Sequence, residues 1–153
     1  MQENSRYLKW MKTLVFGDSL AEIMQDKGID SKSLAAVLGV ARGTVNSWRA
    51  GKYGIGLTHL VALCSHFECS LEYLAGRTEE SSKPKEFVLE NFGKQVRKVM
   101  KARGITTYKL EKETRFDGKY FNVWDNGSDP KLSTLIDLAN YFKCSLDELV
   151  VLE

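Results

Sequence analysis

The chain predicts an all-α fold. Apolar residues recur at helical spacing along its whole length, no segment alternates as a sheet strand does, and the pattern occurs twice. Phe16-Gly17 to Gly51 returns as Phe92-Gly93 to Gly127, and Leu57 to Leu74 returns as Leu132 to Leu149. Identities between the copies fall mainly on Gly, Trp, Leu, Ile and Phe, the residue types that build a fold. One fold used twice is the simplest account.

Five helices are expected in each copy. Leu14 to Lys27 places Leu20, Ile23 and Met24 on one face and ends at Gly28, a residue suited to a left-handed cap. Asp30 or Ser31 caps a second helix running to about Val37, with Leu34, Val37 and Leu38 turned inward. Gly39-Val40 makes a tight turn. Ala41 to Ala50 forms a third helix with Val45 and Trp48 on its inner face, closed by Gly51. After a short loop, Leu57 to Phe67 carries Leu60, Val61 and Cys64, and Ser70 caps a last helix, Leu71 to Ala75. Copy two repeats this with Val96, Val99 and Met100, then Leu110, then Phe121 and Trp124, then Leu132, Leu135, Ile136 and Leu138, then Ser145 to Val150.

Ahead of copy one, Tyr7, Leu8, Trp10, Met11, Leu14 and Val15 form an apolar cluster that extends helix one, packs on copy two or makes a dimer contact. The stretch 79–87, polar and broken by Pro84, reads as a linker, which puts copy one at 1–78 and copy two at 88–153. A flexible linker of this length spans about 16 Å on average and about 30 Å at most, so the copies stay neighbours.

Composition narrows the function classes. The 153 residues carry a net charge of +2, too small to mark a nucleic-acid binder by itself, so any basic surface must be local. No apolar run approaches the roughly 20 residues that cross a bilayer, and the N-terminus lacks a secretory pattern. Cys64, Cys69 and Cys144 form no paired metal spacing and read as small buried hydrophobes. No nucleophile–base pair or phosphate loop is present, His59 and His66 read as helix-surface residues, and neither an enzyme nor a cofactor is expected.

Ser31 to Trp48 reads SKSLAAVLGVARGTVNSW. Leu34-Ala35, Gly39, Val45, Trp48 and Gly51 match the core pattern of the Cro and phage-repressor type helix-turn-helix family, often called the XRE family. The closing segments Phe67-x-Cys69-Ser70-Leu71-Glu72-x-Leu74 and Phe142-Lys-Cys-Ser-Leu-Asp-Glu-Leu149 also resemble that family's. The resemblance implies two tandem five-helix domains of the lambda-repressor type and a bacterial or phage transcriptional regulator working on double-stranded DNA in the cytoplasm. It implies that Ala35 is small because helix three crosses above it, and that Gly39 supplies a positive φ. It places Arg42, Gly43 and Ser47 where base contacts are made, with Thr44 and Asn46 beside them. Arg42 then suits a bidentate contact to guanine, and Gly43 admits a thymine methyl or a close backbone approach. Ser31 matches a phosphate or adjacent-base position, Lys32 lies next to it, and Arg49 and Lys52 face the DNA backbone.

Copy two departs from this pattern. Glu111 replaces the small alanine and must either escape to solvent or pair, and Arg115 replaces the turn glycine. A strained left-handed Arg115 and a turn altered in angle or length are expected. On its third helix, Asp117 to Asn126, the residues Lys119, Tyr120 and Asn122 are candidates for DNA contact, phosphate more than base. Copy two then either binds a second half-site or clamps the backbone, making the tandem a covalent pseudo-dimer. The alternative is an antitoxin-like interaction protein. In it the second copy or the N-terminal extension supports a homodimer or a protein partner, and an apolar surface on copy two would mark it.

Overall fold

The computed structural model describes residues 5–52, 54–82 and 91–150, with side chains from Val15 onward. Copy one contains α1 (Ser5–Lys27), α2 (Ser31–Leu38), α3 (Arg42–Arg49), α4 (Leu57–Phe67) and α5 (Leu71–Leu74). Copy two contains α6 (Phe92–Ala102), α7 (Thr107–Glu113), α8 (Gly118–Asp125), α9 (Leu132–Phe142) and α10 (Leu146–Val150). There is no strand among the described residues. The fold is all-α, in two tandem five-helix units.

Short helices need their first-turn N–H groups satisfied, and the sequence places the caps. Asp30 accepts from the Ser33 N–H at 2.8 Å at the start of α2. Thr106 does the same for α7, from Lys109 at 3.1 Å. Ser70 and Ser145 cap α5 and α10 at equivalent places, 3.1 and 3.0 Å from the N–H groups of Tyr73 and Glu148. The helix over the N-terminal segment is continuous with helix one, since α1 starts at Ser5. The side chains of Tyr7, Leu8, Trp10, Met11 and Leu14 lie outside the described residues. Val15 is exposed.

The buried positions match between copies: Leu20 with Val96, Met24 with Met100, Leu34 with Leu110, Val45 with Phe121, Trp48 with Trp124, Leu60 with Leu135, Leu63 with Leu138 and Leu74 with Leu149. Together they form one continuous core cluster. Each full burial of such a side chain is worth about 1.5–3 kcal/mol. Cys64, Cys69 and Cys144 are buried thiols. The contact with Cys69, together with burial, pushes the Cys64 thiol up, so it stays protonated. Val37 does not face inward as expected but is 55% exposed. The eight-residue α2 buries one stripe, Ser31, Leu34 and Ala35 with Leu38 partly covered, and Val37 falls off it.

Helix α1 crosses α3 closely at Gly17. A Cβ there would come within 2.6 and 2.7 Å of the backbone carbonyl oxygens of Arg49 and Trp48. The equivalent Gly93 would instead meet a flexible carboxylate, that of Asp125. Gly17→Ala should therefore destabilise by about 1–3 kcal/mol through overpacking against backbone. Gly93→Ala should cost distinctly less. Chemical denaturation of the two variants checks the order, and equal losses would contradict the close crossing.

The copies dock through paired contacts. The Leu57 N–H donates to the Pro130 carbonyl and the Leu132 N–H to the Ile55 carbonyl, both at 2.9 Å. Gly56 and Lys131 face each other between them as an antiparallel bridge. Asp147 accepts from the N–H groups of Leu71 at 2.9 Å and Glu72 at 3.0 Å. In return, Glu72 accepts from the Leu146 N–H at 2.7 Å. Arg77 pairs with Glu72 at 3.0 Å and donates to Asn140 at 2.9 Å. Asp129 also caps α4 from outside, taking the N–H of Thr58 at 3.1 Å. Asp147→Ala leaves two donors of α5 without their carboxylate and should lower stability by about 1–3 kcal/mol. An unchanged thermal midpoint would show that the copies do not dock this way in solution.

Candidate nucleic-acid interface

The candidate surface is built around α3. Gly39 ends α2 at φ 70° and ψ 31°, and its N–H bonds back to the Ala35 carbonyl. An added Cβ at Gly39 would meet nothing within 4 Å, so the position needs glycine for its backbone conformation alone. The chain then re-enters a helix within three residues. Ala35 is buried where α2 packs on α3. Val45 and Trp48 are buried and fix the back of α3. His59 is half-buried, its ring 5.3 Å from that of Trp48, so it packs on α3 instead of lying free on α4.

With its back fixed, α3 shows a polar front. Arg42, Gly43 and Asn46 are exposed, and Thr44 and Ser47 are partly exposed. Nothing lies within 4 Å of a Cβ built at Gly43. Lys32 and Lys52 are exposed on either side. The Ser33 N–H bond holds the Asp30 carboxylate below its ordinary range, with smaller help from Arg42 and Lys32. Ser31 is placed differently from the other candidates. It is 5% exposed, and its hydroxyl accepts from Arg49 at 2.9 Å. The serine therefore holds the arginine that ends α3 and does not itself stand out toward a ligand.

Copy two rebuilds its turn. Arg115 is not left-handed, contrary to the expectation of strain there. Helix α7 instead stops at Glu113, and Thr114 takes an extended conformation at φ −134° and ψ 175°. The Thr114 hydroxyl donates to the Leu110 carbonyl at 2.6 Å and accepts from the Phe116 N–H at 3.1 Å. A side chain thereby does what the glycine conformation does in copy one. Arg115 is left outside, over the Phe116 ring at 4.4 Å and bonded to Asp137. Glu111 lies exposed to solvent. Helix α7 touches α8 more lightly than α2 touches α3.

On α8, Lys119 and Asn122 are exposed. Tyr120 is half-buried, its ring edge-on to Phe116 at 4.9 Å and 5.8 Å from Trp124, so most of it serves an aromatic cluster. Charge is redistributed relative to copy one. Arg42 and Arg49 have Gly118 and Asp125 as counterparts, and the acid Asp117 caps α8, accepting from the Lys119 N–H at 2.9 Å. Asp125 is clasped by both Nη atoms of Arg97 at 2.8 Å, which holds its carboxylate below the ordinary range. Conversely, Asp18 and Glu22 of α1 have Lys94 and Lys98 as counterparts. Lys94, Arg97, Lys98 and Lys101 thus form an exposed basic face on α6. They are absent from the sequence-based candidates, although their i, i+3, i+4, i+7 spacing opposite Val96, Val99 and Met100 was readable.

A family model of the Cro/C1-type HTH DNA-binding domain matches residues 19–80 and again residues 95–153. The chain belongs to the Cro/C1-type HTH family. Both copies are members, including the second with its rebuilt turn. No curated protein and no solved structure matches the chain. Among the described residues, no helix is long and apolar enough to cross a membrane. As a Cro/C1-type protein, the chain is a DNA-binding regulator carrying two helix-turn-helix units.

The rebuilt turn has a titratable marker. Tyr141 of α9 donates to the Glu113 carboxylate at 2.5 Å, and this bond pushes the phenol up to about 12. A raised phenol keeps its stabilising bond below the ordinary value near 10 and loses it as pH rises through about 12. Ultraviolet titration, compared with Tyr141→Phe, should show one tyrosine ionising near 12. A missing step near 10 in the variant would mean that α7 is not tied to α9 this way.

Proposed function

We propose that the chain is a sequence-specific transcriptional regulator that binds double-stranded DNA, with α3 in the major groove. The observation that carries this reading is the outward face of α3, with Arg42, Gly43 and Asn46 open and the opposite face fixed by Val45 and Trp48. A groove about 12 Å wide admits such a helix. Arg42 makes the bidentate contact to guanine, and Gly43 lets the backbone or a thymine methyl come close. Thr44, Asn46 and Ser47 read neighbouring edges or phosphates. Lys32, Lys52 and Arg49, the last steadied by Ser31, hold the DNA backbone.

Copy two meets the same duplex through Lys119 and Asn122. The unit limits are those of the sequence reading, 1–78 and 88–153, and the setting is cytoplasmic, where DNA is available. No catalytic step is part of this function. A protein-partner role for copy two draws support from Asp117 and Asp125, which oppose phosphate at both ends of α8. Among the described residues, the exposed large hydrophobics Val15, Val37, Tyr108 and Val123 are divided evenly between the copies and mark no apolar face particular to copy two.

Binding should weaken steeply with added salt. Arg42→Ala should cost about 1–3 kcal/mol on the preferred duplex and relax choice at one base pair. Lys52→Ala should weaken all sequences alike and lower the salt slope by about one. Quantitative shift assays over a salt series check both. A uniform loss for Arg42→Ala would reassign it to phosphate, and no binding at low salt would remove the function. Unchanged affinity after combined Lys119→Ala and Asn122→Ala would turn copy two toward a protein partner.

A further inference from the structure

Two sets of contacts between the copies are reciprocal. Leu57 bonds to Pro130 while its counterpart Leu132 bonds to Ile55, and the counterparts Gly56 and Lys131 face each other. Glu72 accepts from α10 while its counterpart Asp147 accepts from α5. Contacts in which i meets j and the counterpart of j meets the counterpart of i mark a local two-fold axis. Two copies related by simple translation would instead join unlike surfaces. An axis of this kind through the Gly56–Lys131 bridge would relate α3 to its counterpart α8.

We propose that a single chain, without a second copy, occupies one DNA site made of two inverted half-sites of unlike sequence. This rests on the DNA-reading function above and adds its geometry. Two-fold-related reading helices meet duplex DNA as inverted half-sites, because the duplex has its own two-fold axes. The self-complementary surface is already occupied within the chain, so no partner chain is needed to complete it. The halves differ because the outer faces differ: Arg42, Gly43 and Ser47 on α3 against Gly118, Lys119 and Val123 on α8. Asn46 and Asn122 are the shared pair, so the position they read is where the halves coincide.

The test is selection of bound duplexes from random sequence with the full chain, followed by native mass spectrometry of the complex. The expected result is one chain per duplex and two inverted, unlike half-sites with centres about one helical turn apart. The triple variant Gly118→Arg, Lys119→Gly, Val123→Ser places the α3 face on α8. Gly118 has no atom within 4 Å of an added Cβ, and all three positions are exposed, so the fold should tolerate it. That variant should shift the selected site toward a true palindrome. Two chains per site, a direct repeat, a lone half-site or an unshifted preference in the folded triple variant would overturn the geometry while leaving DNA binding intact. Failure to bind any duplex at low salt would overturn the underlying function itself.

Discussion

The structure depends on the exchange of carboxylates between α5 and α10. These helices have four and five residues, too short to be stable alone, and most of their backbone donors lie in a first turn that has no acceptor within the helix. Each uses its own serine for the third N–H. Asp147 then satisfies the first two donors of α5, and Glu72 satisfies the first donor of α10. The donors sit at positive helix ends, where an acid is favoured electrostatically as well as geometrically. Each copy therefore completes the other, and the direction of the completing carboxylates fixes how the two units face. Backbone bonds on both sides of Gly56 and Lys131 fix the second point of contact, and two points suffice to set a two-fold arrangement.

Within that frame, three departures of copy two come in matched pairs. Arg115 stands for Gly39, and its partner Asp137 stands for Ala62. Glu113 stands for Val37, and its partner Tyr141 stands for His66. Arg97 stands for Ala21, and its partner Asp125 stands for Arg49. In each of these three pairs one substitution is met by a second across the packed helices, whereas Glu111, in place of Ala35, turns out to solvent. Exposed pairs of this kind add little stability. Their effect is on orientation: they tie α7 to α9 and the end of α8 to α6 where the close contacts of copy one are missing.

Much of this was legible in the chain itself. Gly39, the caps at Asp30, Ser70 and Ser145, and the buried pair Val45 and Trp48 follow from local geometry, which one segment determines. Val37 lies off the buried stripe that starts at Ser31, although an apolar residue near a short helix's end looks inward in the sequence. Arg115 avoids a left-handed turn because the Thr114 hydroxyl bridges the turn and the helix stops one residue sooner, at Glu113. Ser31 looked like a ligand contact because its bond to Arg49 joins residues 18 apart. Glu72 and Asp147 sat in plain view in matching closing segments, yet first-turn acids are common on exposed helices. Their exchange becomes visible only when the two copies are brought face to face.

The candidate site shows the same division between local and tertiary information. Residue identity alone exposes the front of α3, because a helix with Val45 and Trp48 inside must turn Arg42 and Asn46 outward. The state of α8 requires the rest of copy two. Its lysine and asparagine resemble a reading face, but its ends carry Asp117 and Asp125, and the cations that would attract phosphate have moved to α6. Asp125 does not cancel all of α6, since it engages Arg97 and leaves Lys94, Lys98 and Lys101 on the surface. The positive charge of copy two therefore sits on α6, while α8, with Lys119 against Asp117 and Asp125, carries no excess of it. Charge and exposed polar face lie on separate helices in copy two, whereas α3 carries Arg42 and Asn46 on one face. The reciprocal junction holds copy two against copy one through α5, α10 and the Gly56–Lys131 bridge, contacts in which α8 takes no part.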